Sequence, residues 1–239
     1  MIEMKRIMAV WLVLLMLMGG LIGTVNLSTD AEKVGNGDAE IRYASTSQSK
    51  SYTPHDPIYI DSNDDFVIDQ NGVVSGTGTQ VDPYIIENWD INAGSANGIE
   101  IRNTNVYFII RNCMIHDGWT GSWETSHEGI YFYNVTNGKI NNITSYNNRY
   151  GTFLYFSPNN DITSCALHNN SYGTYLSYSS NNNITNCAVY NNYEGIYLYY
   201  SSNNNQILNC DVYNNDWIGV ELWGYYGACN YNQITNCTV

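Results

Sequence analysis

His116, Asp117, Glu124, His127 and Glu128 crowd into one short stretch of a 239-residue chain, alongside Trp119 and Trp123. Carboxylates beside an imidazole are the equipment of general acid–base chemistry, and paired carboxylates are what cleavage of a glycosidic bond needs. Asp117, Glu124, His127 and Glu128 are therefore the candidate catalytic residues. The same stretch also reads as a surface insertion that merely covers what lies beneath it. Arg102, Arg111, Lys139 and Arg149 are the only basic residues beyond position 80. They share no evident column with an acidic residue, so a ready-made base or ion-pair site is not expected.

Metal chemistry has less to work with. Asp61, Asn63 and Asp65 match the first half of a calcium loop, but the following glycine and the closing glutamate are missing. They are the one calcium candidate, and no other cofactor is expected. His116 and His168 fall in one column with Tyr146 between them, about 10 Å apart and too far to share an ion. Of the six cysteines, Cys113, Cys165, Cys187, Cys210 and Cys237 share one inward phase. Side chains stacked in register point the same way and give a poor disulfide torsion, so these are expected as free, buried fillers of the core. Cys229 lies off phase, in a loop.

The elements that hold these residues emerge from an internal repeat. Gly98, Gly129, Gly151, Gly173, Gly195 and Gly219 open similar segments at intervals of 31, 22, 22, 22 and 24 residues. The long interval marks the insertion around Trp119 to Glu128. Apolar residues alternate at period two after each glycine: Ile99, Ile130, Thr152, Thr174, Ile196 and Val220, then Ile101, Phe132, Leu154, Leu176, Leu198 and Leu222. Alternation is the signature of a strand. A second column is Ile85, Ile109, Ile140, Ile162, Ile184, Ile207 and Ile234, and a third follows three or four residues later through the cysteines. Three short strands per repeat leave no room for a helix. Stacked about 4.8 Å apart, the copies turn each column into a continuous ladder, which is a parallel β-helix of about seven coils. Asn88, Asn112, Asn142, Ser164, Asn186, Asn209 and Asn236 precede the cysteine column. They are expected at a buried corner in left-handed backbone, bonded from coil to coil.

Outward positions of the glycine-led strand carry Tyr131, Phe153, Tyr175 and Tyr197 in one row, with Glu100 and Glu221 at its ends. The next row carries Tyr133, Tyr155, Tyr199 and Trp223, with Arg102 at its head and Ser177 within it. Such an aromatic sheet face suits the flat apolar faces of sugar rings, or else tyrosine covers the sheet because it favours strands. The eight aromatic residues of these rows are the candidate ligand-binding residues.

Formal net charge is −13, with 13% of residues charged. Nucleic acid is excluded as a partner by repulsion. Lys5 and Arg6 precede an apolar run from Ile7 to Ile22, so residues 1–26 read as a signal peptide or short anchor, which is the one expected membrane contact. Residues 27–56 read as a flexible spacer, 57–84 as an N-terminal cap and 85–239 as the β-helix. Val239 is expected in an inward column, leaving the last coil uncapped. That predicts a longer natural chain or self-association through the end. Sequons at Asn134, Asn142, Asn169, Asn183 and Asn236 carry little weight in so asparagine-rich a chain.

The repeats G-T-Y-L-S-Y-S-S-N-N-N-I-T-N-C-A-V-Y-N-N (173–192) and G-I-Y-L-Y-Y-S-S-N-N-N (195–205) resemble those of the pectate-lyase-like superfamily, especially its NosD-like, carbohydrate-binding and sugar-hydrolysis branch. The resemblance covers about residues 80–239, and Pro57 to Glu87 look like the cap and lead-in strand of such proteins. It implies an all-β, right-handed parallel β-helix. The expected role is an exported or cell-surface protein that contacts polysaccharide through the aromatic face. The alternatives are a polysaccharide lyase or glycoside hydrolase working near residues 119–128, and a purely structural repeat protein.

Overall fold

The computed structural model describes residues 51–224 and 227–239. The signal or anchor segment and most of the spacer fall outside the described residues. Among the described residues the only helical turn is the 3-10 turn Asn63–Asp65, and all other regular structure is strand. Three sheets of seven, eight and seven strands run the length of the molecule. Sheet I holds the glycine-led strands, from Ile58–Ile60 and Ile99–Thr104 to Ile218–Trp223. Sheet II runs from Val73–Ser75 to Gln233–Thr235, and sheet III from Thr53–His55 to Asp211–Tyr213. Chain order alternates II, III, I, so each coil contributes one strand to each sheet. Six coils are complete and a partial coil lies at each end, close to the expected seven.

Register follows the apolar columns. Leu154, Leu176, Leu198 and Leu222 are mutual partners in sheet I. Ile115, Ser145, Leu167, Val189 and Val212 line sheet III, all but fully buried. The second column needs one correction: Ile110, not Ile109, pairs with Ile140, and Ile86 pairs with Ile110. The inward residues are therefore Ile86 and Ile110, and the offset to the cysteine column is three residues in every coil. Cys113, Cys165, Cys187 and Cys210 are buried in that column, and Cys229 and Cys237 are half-buried.

Two further expectations change. Thr53–His55, at the end of the presumed spacer, is a strand paired parallel to Trp89–Asn92. The supposedly isolated basic residues do have acidic partners in register: Arg111 beside Glu87, Nε to Oε2 2.6 Å, and Lys139 beside Asp161. Lys139 and Asp161 stand directly before Ile140 and Ile162, in the part of the column that did not slip.

The start of the solenoid is closed. Val73–Ser75 pairs antiparallel to Tyr84–Glu87, and Phe66 enters the core against Tyr84 (5.1 Å between centroids) and Phe108 (5.2 Å). At the far end the inward residues Leu222, Ile234 and Val239 are exposed.

Asparagine sets the corners, in two distinct ways. The predicted column Asn88, Asn112, Asn142, Ser164, Asn186, Asn209 and Asn236 is left-handed throughout (φ 52° to 65°), and Asn142 Nδ2 donates to Asn112 Oδ1 at 2.6 Å. That corner is not buried, however. Its members are exposed or half-buried, because the turn bulges away from the core. The buried asparagines Asn148, Asn160, Asn170, Asn182, Asn192 and Asn205 each follow a left-handed asparagine. The Asn148 backbone N–H donates to Asn170 Oδ1, Asn170 to Asn192 and Asn192 to Asn215, at 2.9, 2.9 and 3.1 Å. Asn160, Asn182, Asn205 and Asn232 repeat the pattern at 2.8 Å per step. Each buried turn donor thus finds an acceptor one coil on, as a buried amide must.

Candidate functional site

Sheet I carries the candidate site on its outer face. The two rows anticipated from alternation are in register: Tyr131, Phe153, Tyr175, Tyr197 and Glu221, and beside them Tyr133, Tyr155, Ser177, Tyr199 and Trp223. Ser177 is covered by its neighbours and Trp223 is exposed. Ring centroids follow one another at 5.0 Å (Tyr131–Phe153), 5.1 Å (Phe153–Tyr175) and 5.1 Å (Tyr175–Tyr197).

Two more rows were missed. Tyr150, Tyr172 and Glu194, each just before a repeat glycine, stand in register on the same face. Alternation failed there because the glycine itself turns inward: a Cβ on Gly173 would lie 2.4 Å from Val189 Cγ1 and 2.7 Å from the Gly195 carbonyl. Two successive inward positions flip the parity, so the residue ahead of each glycine joins the outer face. On the other side Phe156, Tyr178 and Tyr200 occupy left-handed backbone (φ 49°, 50° and 35°) where the earlier coils have Asn103 and Asn134. Left-handed geometry costs about 1 kcal/mol or more in a residue with a full side chain. Phe156 stacks on Tyr178 at 4.7 Å and touches Tyr155 at 4.4 Å, so the strain widens the aromatic platform.

The insertion reaches this platform. Trp123, 45% exposed, meets Trp119 (5.5 Å), Tyr150 (6.4 Å) and Tyr172 (6.0 Å) edge to face. The Arg149 guanidinium lies 5.1 Å from the ring centres of both Trp123 and Tyr150. The loop and the face are therefore one site, with the loop as a wall along the edge row.

Of the catalytic candidates, the structure brings only Glu128 to the platform, as a half-buried acid. Burial raises its carboxyl above the ordinary range and Glu100 adds to this, while the Arg149 guanidinium at 3.7 Å opposes it. Arg102 Nε bonds Glu100, whose other oxygen accepts from Asn97 Nδ2 at 2.6 Å. His127 is half-buried beneath the loop, and its Nδ1 and the Arg149 Nε are buried with no hydrogen-bond partner among the described residues. Glu124 is exposed at the loop surface. Asp117 belongs elsewhere, on the sheet III side, where His116 Nδ1 meets Asp117 Oδ2 and His116 Nε2 meets Asp90 Oδ1, both at 2.9 Å. Bonds from Asn147 and His116 hold the Asp117 carboxyl below its usual range.

Burial pushes Tyr131 up to about 12 against the opposing charge of Arg102, and burial raises Tyr172, Tyr175 and Tyr197 as well. These phenols stay un-ionised at neutral pH and offer O–H groups beside apolar ring surface.

Sheet III shows what a different aromatic surface looks like. His116, Tyr146, His168, Tyr190 and Tyr213 stack nearly parallel, at 5.3, 5.3, 4.8 and 5.0 Å with interplanar angles of 12°, 1°, 15° and 4°. The three inner rings there, Tyr146, His168 and Tyr190, are each stacked between the rings above and below. On sheet I, Tyr175 stands at 79° to 81° to Phe153, Tyr172 and Tyr197, and a perpendicular pair leaves one ring's faces free of its neighbour.

The calcium candidates tie the cap to the first coil. Asp61 Oδ1 accepts from Asn103 Nδ2, Asn63 Oδ1 from Thr104 Oγ1 and the Asn105 N–H, and Asp65 Oδ2 from the Asp61 N–H. Among the described residues no group of three or more His, Cys, Asp or Glu is arranged to hold a metal ion.

Three-stranded parallel coils with a site on one outer sheet define a β-helix solenoid protein. Over residues 71–239 the sequence matches the family described as the right handed beta helix region, and the chain belongs to that family. The match is to the β-helix in general and does not single out the NosD-like branch. Among solved structures, the chain is similar to the A-modules of two Azotobacter vinelandii mannuronan C-5 epimerases. For AlgE4 the identity is 15% and the TM-score 0.38, covering 55% of this chain and 42% of that one. For AlgE6 they are 12% and 0.31, covering 64% and 48%. The chain thus spans less than half the length of each. No match to a curated protein was found.

Proposed function

We propose that this protein is exported and contacts polysaccharide through the outer face of sheet I, with the 119–128 loop as a wall. One observation carries the reading: a platform of rings in four adjoining rows, some in strained backbone, joined by Trp123 from an insertion that folds onto it. Aromatic platforms with un-ionised hydroxyl rims bind sugar rings by apolar contact and hydrogen bonds. The charged and apolar N-terminal run supports export.

Replacing Tyr155, Tyr175 and Tyr197 together by Ser is expected to lower glycan affinity at least tenfold on a glycan array and in affinity electrophoresis. The β-sheet circular dichroism should be retained, since the core columns are untouched. Undiminished binding by a folded triple variant would move the site off this face. The environment of Glu128 favours a second reading, a lyase or hydrolase in which this half-buried acid transfers a proton to a bound chain. A product assay on any retained glycan, with E128Q beside the native protein, separates binding from turnover.

A further inference from the structure

The two ends of the platform are both acidic, but they are neutralised differently. At the first end Glu100 has Arg102 and Glu128 has Arg149. At the far end stand Glu194 and Glu221, and the sequence contains no Lys or Arg at all after Arg149. Neither carboxylate forms an ion pair among the described residues, and the one histidine beyond position 150, His168, lies in the sheet III ladder. Glu194 is only 7% exposed, and its Oε2 has no hydrogen-bond partner among the described residues. Its carboxyl faces the Tyr172 phenol and, one coil on, the Glu221 carboxyl within hydrogen-bonding reach. A buried carboxylate beside a second one, with no internal cation, is unfavourable unless a proton or an outside cation completes it.

The surroundings say which cation fits. Glu221 follows Tyr197 in register, Tyr172 stacks on Tyr197 at 5.9 Å, and Trp223 follows Tyr199 in the adjoining row. Two carboxylates walled by aromatic rings suit a compact organic cation, attracted by charge and by the ring faces together. A hard divalent ion would want six to eight oxygen ligands, more than two carboxylates supply.

Resting on the polysaccharide-contact reading, we infer that Glu194 and Glu221, with Tyr172 and Tyr197, form a subsite for the ammonium group of an amino-sugar residue in the bound glycan. The ligand class is then a cationic, incompletely acetylated glycan, in keeping with the chain's net charge of −13.

The test compares a glucosamine oligomer with the N-acetylglucosamine oligomer of the same length, titrated calorimetrically into the full chain and into E194Q and E221Q. The native protein should bind the amine form at least tenfold more tightly. Both variants should lose that preference, their affinity for the amine oligomer falling to that for the acetylated one. Glutamine is isosteric and removes the like-charge contact, so both variants should fold, which circular dichroism checks. Equal binding of the two oligomers by the native protein, or a preference that survives in both variants, would overturn the subsite. Binding of neutral glucans without any amine preference would overturn it while leaving the polysaccharide reading intact. Failure of every glycan to bind would overturn both.

Discussion

Leu198→Asp should unfold the coils around it. Leu198 is fully buried in sheet I, between Leu176 one coil before and Leu222 one coil after. An aspartate there would place a carboxylate in an apolar column with no cation in any neighbouring rung. Leaving a charge buried and unpaired costs about 3–5 kcal/mol or more, a large part of the 5–15 kcal/mol that holds a typical domain together. In a solenoid each coil is stabilised chiefly by its immediate neighbours, so the damage should start locally and spread toward the nearer, exposed end. Thermal unfolding is expected to fall by well over ten degrees or to lose cooperativity, with hydrogen-exchange protection lost first in residues 172–223. Tyr199→Ser, on the same strand but facing outward, should change the midpoint by only a few degrees. A near-native melt for Leu198→Asp would refute the register of the whole sheet.

That register was readable because three consecutive 22-residue intervals pin every column in the middle coils. The slip at Ile85 and Ile109 arose where two adjacent isoleucines offered a choice, and the constant three-residue step to the cysteine column resolves it. Glu87 falls beside Arg111 under either choice, because both isoleucines slip together by one residue. The site was legible in part. Tyr131, Tyr133, Phe153, Tyr155, Tyr175, Tyr197, Tyr199 and Trp223 lie on the face that alternation assigned them. Tyr150, Tyr172 and Glu194 did not show, because alternation assumes that every residue turns the chain over. A glycine packed tightly against Val189 breaks that rule, and the signal was present as an acidic or aromatic residue before four of the six repeat glycines. Phe156, Tyr178 and Tyr200 were hidden for another reason: nothing in local sequence announces an aromatic residue in left-handed backbone, held by ring contacts and backbone bonds to the next coil. Loop direction is equally non-local. That Trp123 would reach Tyr172 in a different coil, while Asp117 at the root of the same loop turned to His116 on sheet III, depends on packing that no spacing encodes.

The asparagine pairs lead to the second large effect, since two neighbouring residues of one type perform opposite tasks. Asn191 is exposed and left-handed, with φ 54°, whereas Asn192 is fully buried. Asn192 Oδ1 accepts from the Asn170 N–H at 2.9 Å and from Asn170 Nδ2 at 3.2 Å. Its own Nδ2 donates to the Leu167 carbonyl at 3.0 Å and to Asn215 Oδ1 at 3.1 Å. Asn192→Leu keeps a similar volume but removes all four contacts, leaving at least the Asn170 N–H buried without an acceptor. Each buried polar group left unsatisfied costs about 1–3 kcal/mol, so a loss of about 3 kcal/mol is expected. Asn191→Ala breaks no such ladder and should cost about 1 kcal/mol, the strain of left-handed geometry with a Cβ that cannot bond its own backbone. Glycine separates the two roles. Asn191→Gly should be nearly neutral because glycine accepts positive φ freely, while Asn192→Gly should be as harmful as the leucine variant, because what is lost is the amide and not the backbone conformation. Denaturant midpoints of the four variants give the ranking directly. If Asn192→Gly proved as mild as Asn191→Gly, the buried ladder would not be what holds the coils together, and coil-to-coil stability would have to come from the apolar columns alone.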